Sequence, residues 1–220
     1  MRNRWFIALA AIGLHISIGS VYAWSVLTRP IMADMGFTLS QTTWTFSLAI
    51  LMLGLSAGFL GSFAEKIGPK KSGLLAMLFL VTGLLGTAYA LSIHNLTLLY
   101  LFYGIIGGIG LGIGYITPVS TLVKYFPNRP GFATGLAIMG FGFASLIAGP
   151  LMQYLVAQVG LVDTFIILGV IYLVIMGASS LYLKAPQPKH PTRTTKDKSA
   201  MYVHTHGMLA NDAMKTCLLY

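Results

Sequence analysis

Long apolar runs alternate with short polar turns along most of this chain. A helix crosses a bilayer in about 20 residues, and six runs are long enough: 5–28, 41–64, 72–93, 97–123, 132–157 and 161–183. Charged side chains fall only at their edges, as Lys124 and Asp163 do. Backbone polar groups in lipid must be satisfied within the segment, so each run predicts a helix. The connections are short, which makes neighbouring helices antiparallel. The longest charged interruption before the last run ends is GSFAEKIGPKK, Gly61–Lys71, with one acid, three lysines and two glycines. It predicts a tight turn between spans two and three. Beyond Leu183 the pattern changes to prolines, bases and histidines. Residues 184–220 are expected to be a linker or tail whose juxtamembrane bases meet anionic headgroups.

Composition points the same way. Of the 220 residues 56% are AVILMFWYC and only 9% are charged, against roughly 25% charged in soluble domains. The lipid bilayer is therefore the first partner. The net charge of +9 comes from 14 Lys+Arg against 5 Asp+Glu. These bases lie between apolar runs, which marks topology and not a nucleic-acid-binding face. With the N-terminus cytoplasmic, every base but Arg29 falls on the cytoplasmic side, 13 of the 14. That count predicts a multi-pass protein of the cell membrane (plasma or inner) with both termini cytoplasmic. The basic start MRNRW resembles a signal peptide, but its apolar run is too long and further spans follow, so it reads as a retained first span.

Other chemistry is sparse. The single cysteine, Cys217, excludes a disulfide framework and a cysteine metal site. His204 and His206 in the tail are weak grounds for a metal, and no metal or cofactor is expected. The run GGIGLGIG has the look of a dinucleotide-binding loop, but no strand precedes it and it lies inside a span. The Asn95-Leu96-Thr97 sequon sits too close to the membrane for glycosylation. The spans hold no paired carboxylates and no nucleophile–base set, so an enzyme is not expected.

Span one is the most polar, with His15, Ser17, Tyr22 and Trp24. Polar groups at such depth are costly and face a cavity or the protein interior. His15 has two readings: a neutral imidazole bonded to a neighbouring helix, or a titrating or substrate-contacting group. Tyr22 fits either a cavity or the outer aromatic belt, and Trp24 fits the belt. Ser40 is the expected N-cap of span two. In span four Gly104, Gly108 and Gly112 recur every four residues, a spacing that lets helices pack closely. Glu65 ends span two, where the helix dipole favours a cation. It is better placed facing a base or another helix's N-terminus, so the turn reads as a latch.

The pattern Gly61-x-x-x-Glu65-Lys66-x-Gly68-x-Lys70-Lys71 resembles the signature loop between helices two and three of the major facilitator superfamily, with Glu where Asp is usual. Within that superfamily the chain resembles the oxalate/formate antiporter family. The similar stretches are Asn3-Arg4-Trp5, Gly19–Ser25, Tyr115–Lys124, Phe126–Arg129 and Gly131–Gly142, and the likeness covers about residues 3 to 183. Many facilitators carry an arginine in helix four where this chain has Gly104.

The resemblance implies an all-α membrane protein: six transmembrane helices as two inverted three-helix repeats, one half of a facilitator fold, in residues 1–183. Gly19-x-x-Tyr22 and Gly112-x-x-Tyr115 stand at corresponding places in spans one and four. It further implies secondary transport of small carboxylates such as oxalate, formate or lactate, by alternating access, as an exchanger or with protons. Cavity candidates are Tyr22, Tyr115 and His15, then Ser17 and Thr117. Gly61, Glu65, Lys66, Gly68, Lys70 and Lys71 form the gating loop, which in the family docks against the second half. On this reading the chain stops before a seventh span, and Glu65 lacks its docking partner. The missing C-terminal six-helix half, or a second copy, would complete the carrier. A homodimeric six-helix carrier and a non-transporting membrane protein are the alternatives.

Overall fold

The computed structural model describes residues 4–184. The tail, with His204, His206 and Cys217, lies outside the described residues. Six long helices occupy the expected runs: α1 Arg4–Met35, α2 Leu39–Ile67, α3 Pro69–Ser92, α4 Leu96–Tyr125, α5 Pro130–Val159 and α6 Leu161–Tyr182. Each is long and apolar enough to cross a membrane.

The turns between them are shorter than the polarity pattern predicts, because polar residues continue the helices. The segment expected as an outer loop from Arg29 is helical to Met35. Gly36 ends it in the left-handed region at φ 68°, with its N–H bonded to the Met32 carbonyl at 3.0 Å. The N-cap of α2 is Thr38 and not Ser40. Its hydroxyl accepts from the Gln41 N–H at 3.3 Å while the Gln41 side chain accepts from the Thr38 N–H at 2.9 Å, a reciprocal capping box that Ser40 cannot make with its neighbours. Most of Gly61–Lys71 is helix as well. Only Gly68, at φ 86°, breaks the path, and Pro69 starts α3 in the first-turn position where its missing N–H costs nothing.

The packing has a two-fold pattern. α2 lies along α4 as α5 lies along α1, and α3 touches α4 as α6 touches α1. The self-paired contacts are α3 with α6 and α1 with α4. Exchanging α1, α2, α3 for α4, α5, α6 therefore maps the contact set onto itself, as inverted three-helix repeats require. α1 is the most enclosed helix, with 61% of its apolar stretch buried against 17% for α2.

Close approach depends on glycine. A Cβ on Gly104 would lie 2.9 Å from the Leu48 Cβ, and one on Gly108 would lie 2.6 Å from the Met52 Cβ. On Gly112 it would strike the Ser56 hydroxyl and come within 2.5 Å of the Leu53 carbonyl. About half a turn round from Gly108 and Gly112 on α4, a Cβ on Gly110 would meet the α3 backbone at 2.7 Å from the Leu80 nitrogen. Gly135 on α5, by contrast, has nothing within 4 Å. Gly112→Leu is expected to lower stability by about 1–3 kcal/mol or more, the cost of overpacking against backbone. Gly135→Leu should stay within about 0.5 kcal/mol of wild type. Unfolding titrations of the two variants in mixed detergent micelles would show this, and equal losses at both positions would rule out the α2–α4 seam as the cause.

Candidate functional site

Three of the five cavity candidates come together, and two do not. His15 is fully buried on α1, and its Nε2 lies 3.2 Å from the main-chain carbonyl of Tyr115 on α4. A carbonyl only accepts, so this nitrogen carries the proton and Nδ1 is left as the bare lone pair. Nδ1 is buried without a partner. The Tyr115 and Phe141 rings stand edge-on to the imidazole at 5.7 and 6.0 Å. Tyr22 meets Phe141 edge-on at 5.2 Å, the same distance that separates Phe141 from Tyr115. Tyr22 also reaches Phe46 of α2 at 6.4 Å and is 47% exposed. The result is an aromatic face built by α1, α4 and α5, with His15 beneath it and Tyr22 open to the outside.

Phe141 is the centre of this face and the sequence reading did not single it out. Its position between Gly140 and Gly142 is the signal that was available. A Cβ on Gly140 would lie 3.4 Å from that of His15, so the bare backbone there lets α5 settle onto α1. On the other side of the contact a Cβ on Gly19 would strike the Phe141 carbonyl.

Ser17 and Thr117 lie elsewhere. The Ser17 hydroxyl donates to the Gly13 carbonyl at 3.1 Å and that of Thr117 to Ile113 at 2.8 Å, each on its own helix. Both residues are buried. Trp24 is not a belt residue either. It is 3% exposed, its indole N–H donates to the Thr42 carbonyl at 3.3 Å, and its ring lies 4.3 Å from that of Tyr103. An acceptor and a stacking partner inside the bundle outweigh the interfacial preference of the indole.

Within this chain Glu65 meets a base, one of the two kinds of partner expected for it. Its Oε1 lies 3.6 Å from Nζ of Lys124 at the end of α4, both side chains about half exposed. Ser72 on α3 donates to the Ala64 carbonyl at 3.1 Å and ties the two sides of the Gly68 break together. A small polar pocket of about 60 Å³ lies under the ion pair, walled by Gly68, Thr117, Ser120 and Thr121 among others. Lys66, Lys70 and Lys71 are exposed around it. Gly61 faces Ile116 of α4, where an added Cβ would come within 2.8 Å of the Ile116 Cδ1. The same end of the bundle carries Arg4, whose guanidinium lies 5.7 Å over the Phe126 ring. There too the Tyr125 hydroxyl donates to the Lys184 carbonyl at 2.9 Å.

Six apolar helices in two inverted triplets, with an aromatic face on the pair α1 and α4, define a multi-pass membrane protein of the architecture used by secondary carriers. The chain belongs to the major facilitator superfamily, whose model matches residues 6–216. It is 31% identical over 194 residues to the uncharacterized MFS-type transporter YhjX of Escherichia coli, covering 88% of this chain and 47% of that protein. Over 171 residues it is 28% identical to the oxalate:formate antiporter of Oxalobacter formigenes, which covers 77% of this chain and 40% of the relative. Human monocarboxylate transporter 14 is 27% identical over 188 residues, 85% of this chain and 36% of its own length. The chain thus spans half or less of the length of these relatives.

An ion pair this exposed contributes about 0–1 kcal/mol. A double-mutant cycle with Glu65→Gln and Lys124→Gln, read from detergent melting curves, should return a coupling energy in that range that shrinks in 1 M salt. A coupling above about 2 kcal/mol would mean that the turn is a structural clamp.

Proposed function

We propose that this chain forms one six-helix wall of a secondary carrier for small organic anions such as oxalate, formate, lactate or similar carboxylates, working by alternating access. The observation that carries this reading is the aromatic face. Tyr22, Tyr115 and Phe141 meet over His15, and phenol hydroxyls and positive ring edges suit a planar carboxylate. The names of two relatives, an oxalate:formate antiporter and a monocarboxylate transporter, agree with that substrate class.

The wall is one-sided in its chemistry. An unpaired charge deep in a membrane protein costs at least several kcal/mol. Among the described residues Arg4, Lys66, Lys70, Lys71, Lys124, Arg129 and Lys184 sit at helix ends, and Arg29 is exposed in the last two turns of α1. The cation that neutralises a carboxylate therefore belongs to an opposing wall. Gly54 and Gly58 on α2, and Gly131, Gly135 and Gly142 on α5, have open space where a side chain would project. These helices are where a second six-helix unit would lie, either a C-terminal half or a second copy. In the cell membrane the base-rich end, with the N-terminus, faces the cytoplasm. The Glu65–Lys124 turn then acts as an inner latch that opens once per cycle.

The test is uptake of labelled oxalate, formate and lactate into vesicles. One set holds this chain alone, and another holds it together with the part of the E. coli relative that it does not match. Uptake is expected only from the pair. Tyr115→Phe should weaken half-saturation about ten-fold, in line with loss of a charge-assisted hydrogen bond worth about 1.5–3 kcal/mol. Gly58→Leu should abolish uptake by the pair while leaving the melting of this chain unchanged. Uptake by the chain alone would favour a second copy as the opposing wall, and no uptake in either set would sink the carrier reading.

In the active pair, Glu65→Ala is expected to slow exchange several-fold with substrate affinity unchanged. Unaltered exchange rates would remove the latch role.

A further inference from the structure

Two departures from regular α-helix face each other inside the bundle. Ser20–Ala23 tightens α1 into a 3-10 turn, and Tyr100–Gly107 widens α4 into a π-helix. Such irregular turns leave carbonyls imperfectly paired, and in membrane helices these are re-satisfied by neighbouring side chains or ordered water. Both segments border one small space of about 20 Å³, whose walls include Ser20, Gly83, Tyr103, Gly107, Phe165 and Tyr172. None of the aromatic-face residues lines it, so it is a separate site.

The polar part of this wall is three buried hydroxyls from three helices: Ser20 on α1, Tyr103 on α4 and Tyr172 on α6. Ser20 donates its proton to the Ser17 carbonyl at 2.7 Å, which leaves its oxygen free to accept. The Tyr172 hydroxyl is hydrogen-bonded directly to the Ser20 side chain, which leaves one Ser20 lone pair and the Tyr172 oxygen for a further partner, and Tyr103 lies close to Tyr172. No charged residue lines the space. An ion there would lack the partner that offsets its desolvation, and a carboxylate is too large. One water needs about 10–15 Å³ by the same measure and two to four polar partners. Volume and donor set both fit a single water.

We propose that this pocket is a hydration site, where one ordered water bridges the hydroxyls of Ser20, Tyr103 and Tyr172 and so links α1, α4 and α6. The water sits under the Trp24–Tyr103 stack and couples the outer segment of α1 to the widened turn of α4. Replacing any of the three hydroxyls removes one of its partners.

Millisecond X-ray radiolysis tests this on the full chain in lipid vesicles, because hydroxyl radicals generated from a bound water oxidise the side chains that hold it. With rates normalised to intrinsic reactivity, Tyr103 and Tyr172 are expected to label well above the buried Phe141 of the aromatic face. Tyr172→Phe should cut the Tyr103 label at least three-fold at an unchanged melting temperature. Tyr103 as protected as Phe141 in the wild-type protein would overturn the proposal. So would a Tyr103 label that Tyr172→Phe leaves intact. Should that variant fail to fold, the wild-type rates decide alone.

Discussion

The fold depends on α4 having almost no side chain on two of its faces. Gly104, Gly108 and Gly112 bring it onto α2, and Gly110 brings it onto α3, at distances that no Cβ would permit. In lipid the apolar side chains gain little by leaving their surroundings, so helices associate through close van der Waals contact and interhelical bonds. A glycine seam maximises the first. The second follows from it: Ser56 of α2 reaches the Gly108 carbonyl at 3.5 Å only because that backbone is bare. The same device recurs on the symmetry-related pair, where Gly19 of α1 admits the Phe141 carbonyl of α5. Both seams place the aromatic face. Without the α1–α5 approach Phe141 could not sit between Tyr22 and Tyr115.

Inverted symmetry also explains the uneven burial. α1 and α4 are partners across the pseudo-axis and carry the face together with Phe141 of α5. α2 and α5 are the helices with glycines pointing at open space. α3 and α6 pack on each other behind. Enclosing α1 and exposing α2 is thus one arrangement seen from two sides, and the polar residues follow it. His15, Ser17 and Ser20 of α1 are buried; on α2 the polar residues divide by face, with Thr42, Thr45 and Ser56 buried toward the bundle and Ser47 exposed and bonded to its own helix at Thr43.

The six spans were legible because membrane helices obey two strong rules, length and the exclusion of charge. Helix ends were less so. Thr38 and Ser40 are equally good caps by residue type, and only the reach of Gln41 back to Thr38 decides between them. Glu65 could be read as needing a base or a helix N-terminus. That Lys124 of α4 supplies the base depends on how far α2 and α4 run side by side, which no local pattern records. Trp24 was misread for a related reason: the residue type says interface, but the Thr42 carbonyl comes from the next helix and the Tyr103 ring from α4. Phe141 was missed because a phenylalanine in an apolar span carries no signal of its own until the glycines beside it are placed against α1.

His15 shows why the two walls of such a carrier must differ. Its tautomer is set by the Tyr115 carbonyl, so the nitrogen left over is an acceptor. Neutral, it offers a lone pair to an incoming carboxylate and repels it; only with a second proton could it donate. It is also covered by Tyr115 and Phe141, so a solute reaches it only when those rings turn aside. The accessible chemistry on this face is therefore hydroxyl donors and ring edges, with Tyr22 outermost. On the proposed function such a surface would orient a carboxylate and admit it without trapping it, since no described residue on this wall offers a fixed cation. The strong electrostatic contact then forms only when an opposing wall closes. Under the proposed function that division would suit alternating access: each half alone would hold the anion weakly, and tight binding would require the two to meet.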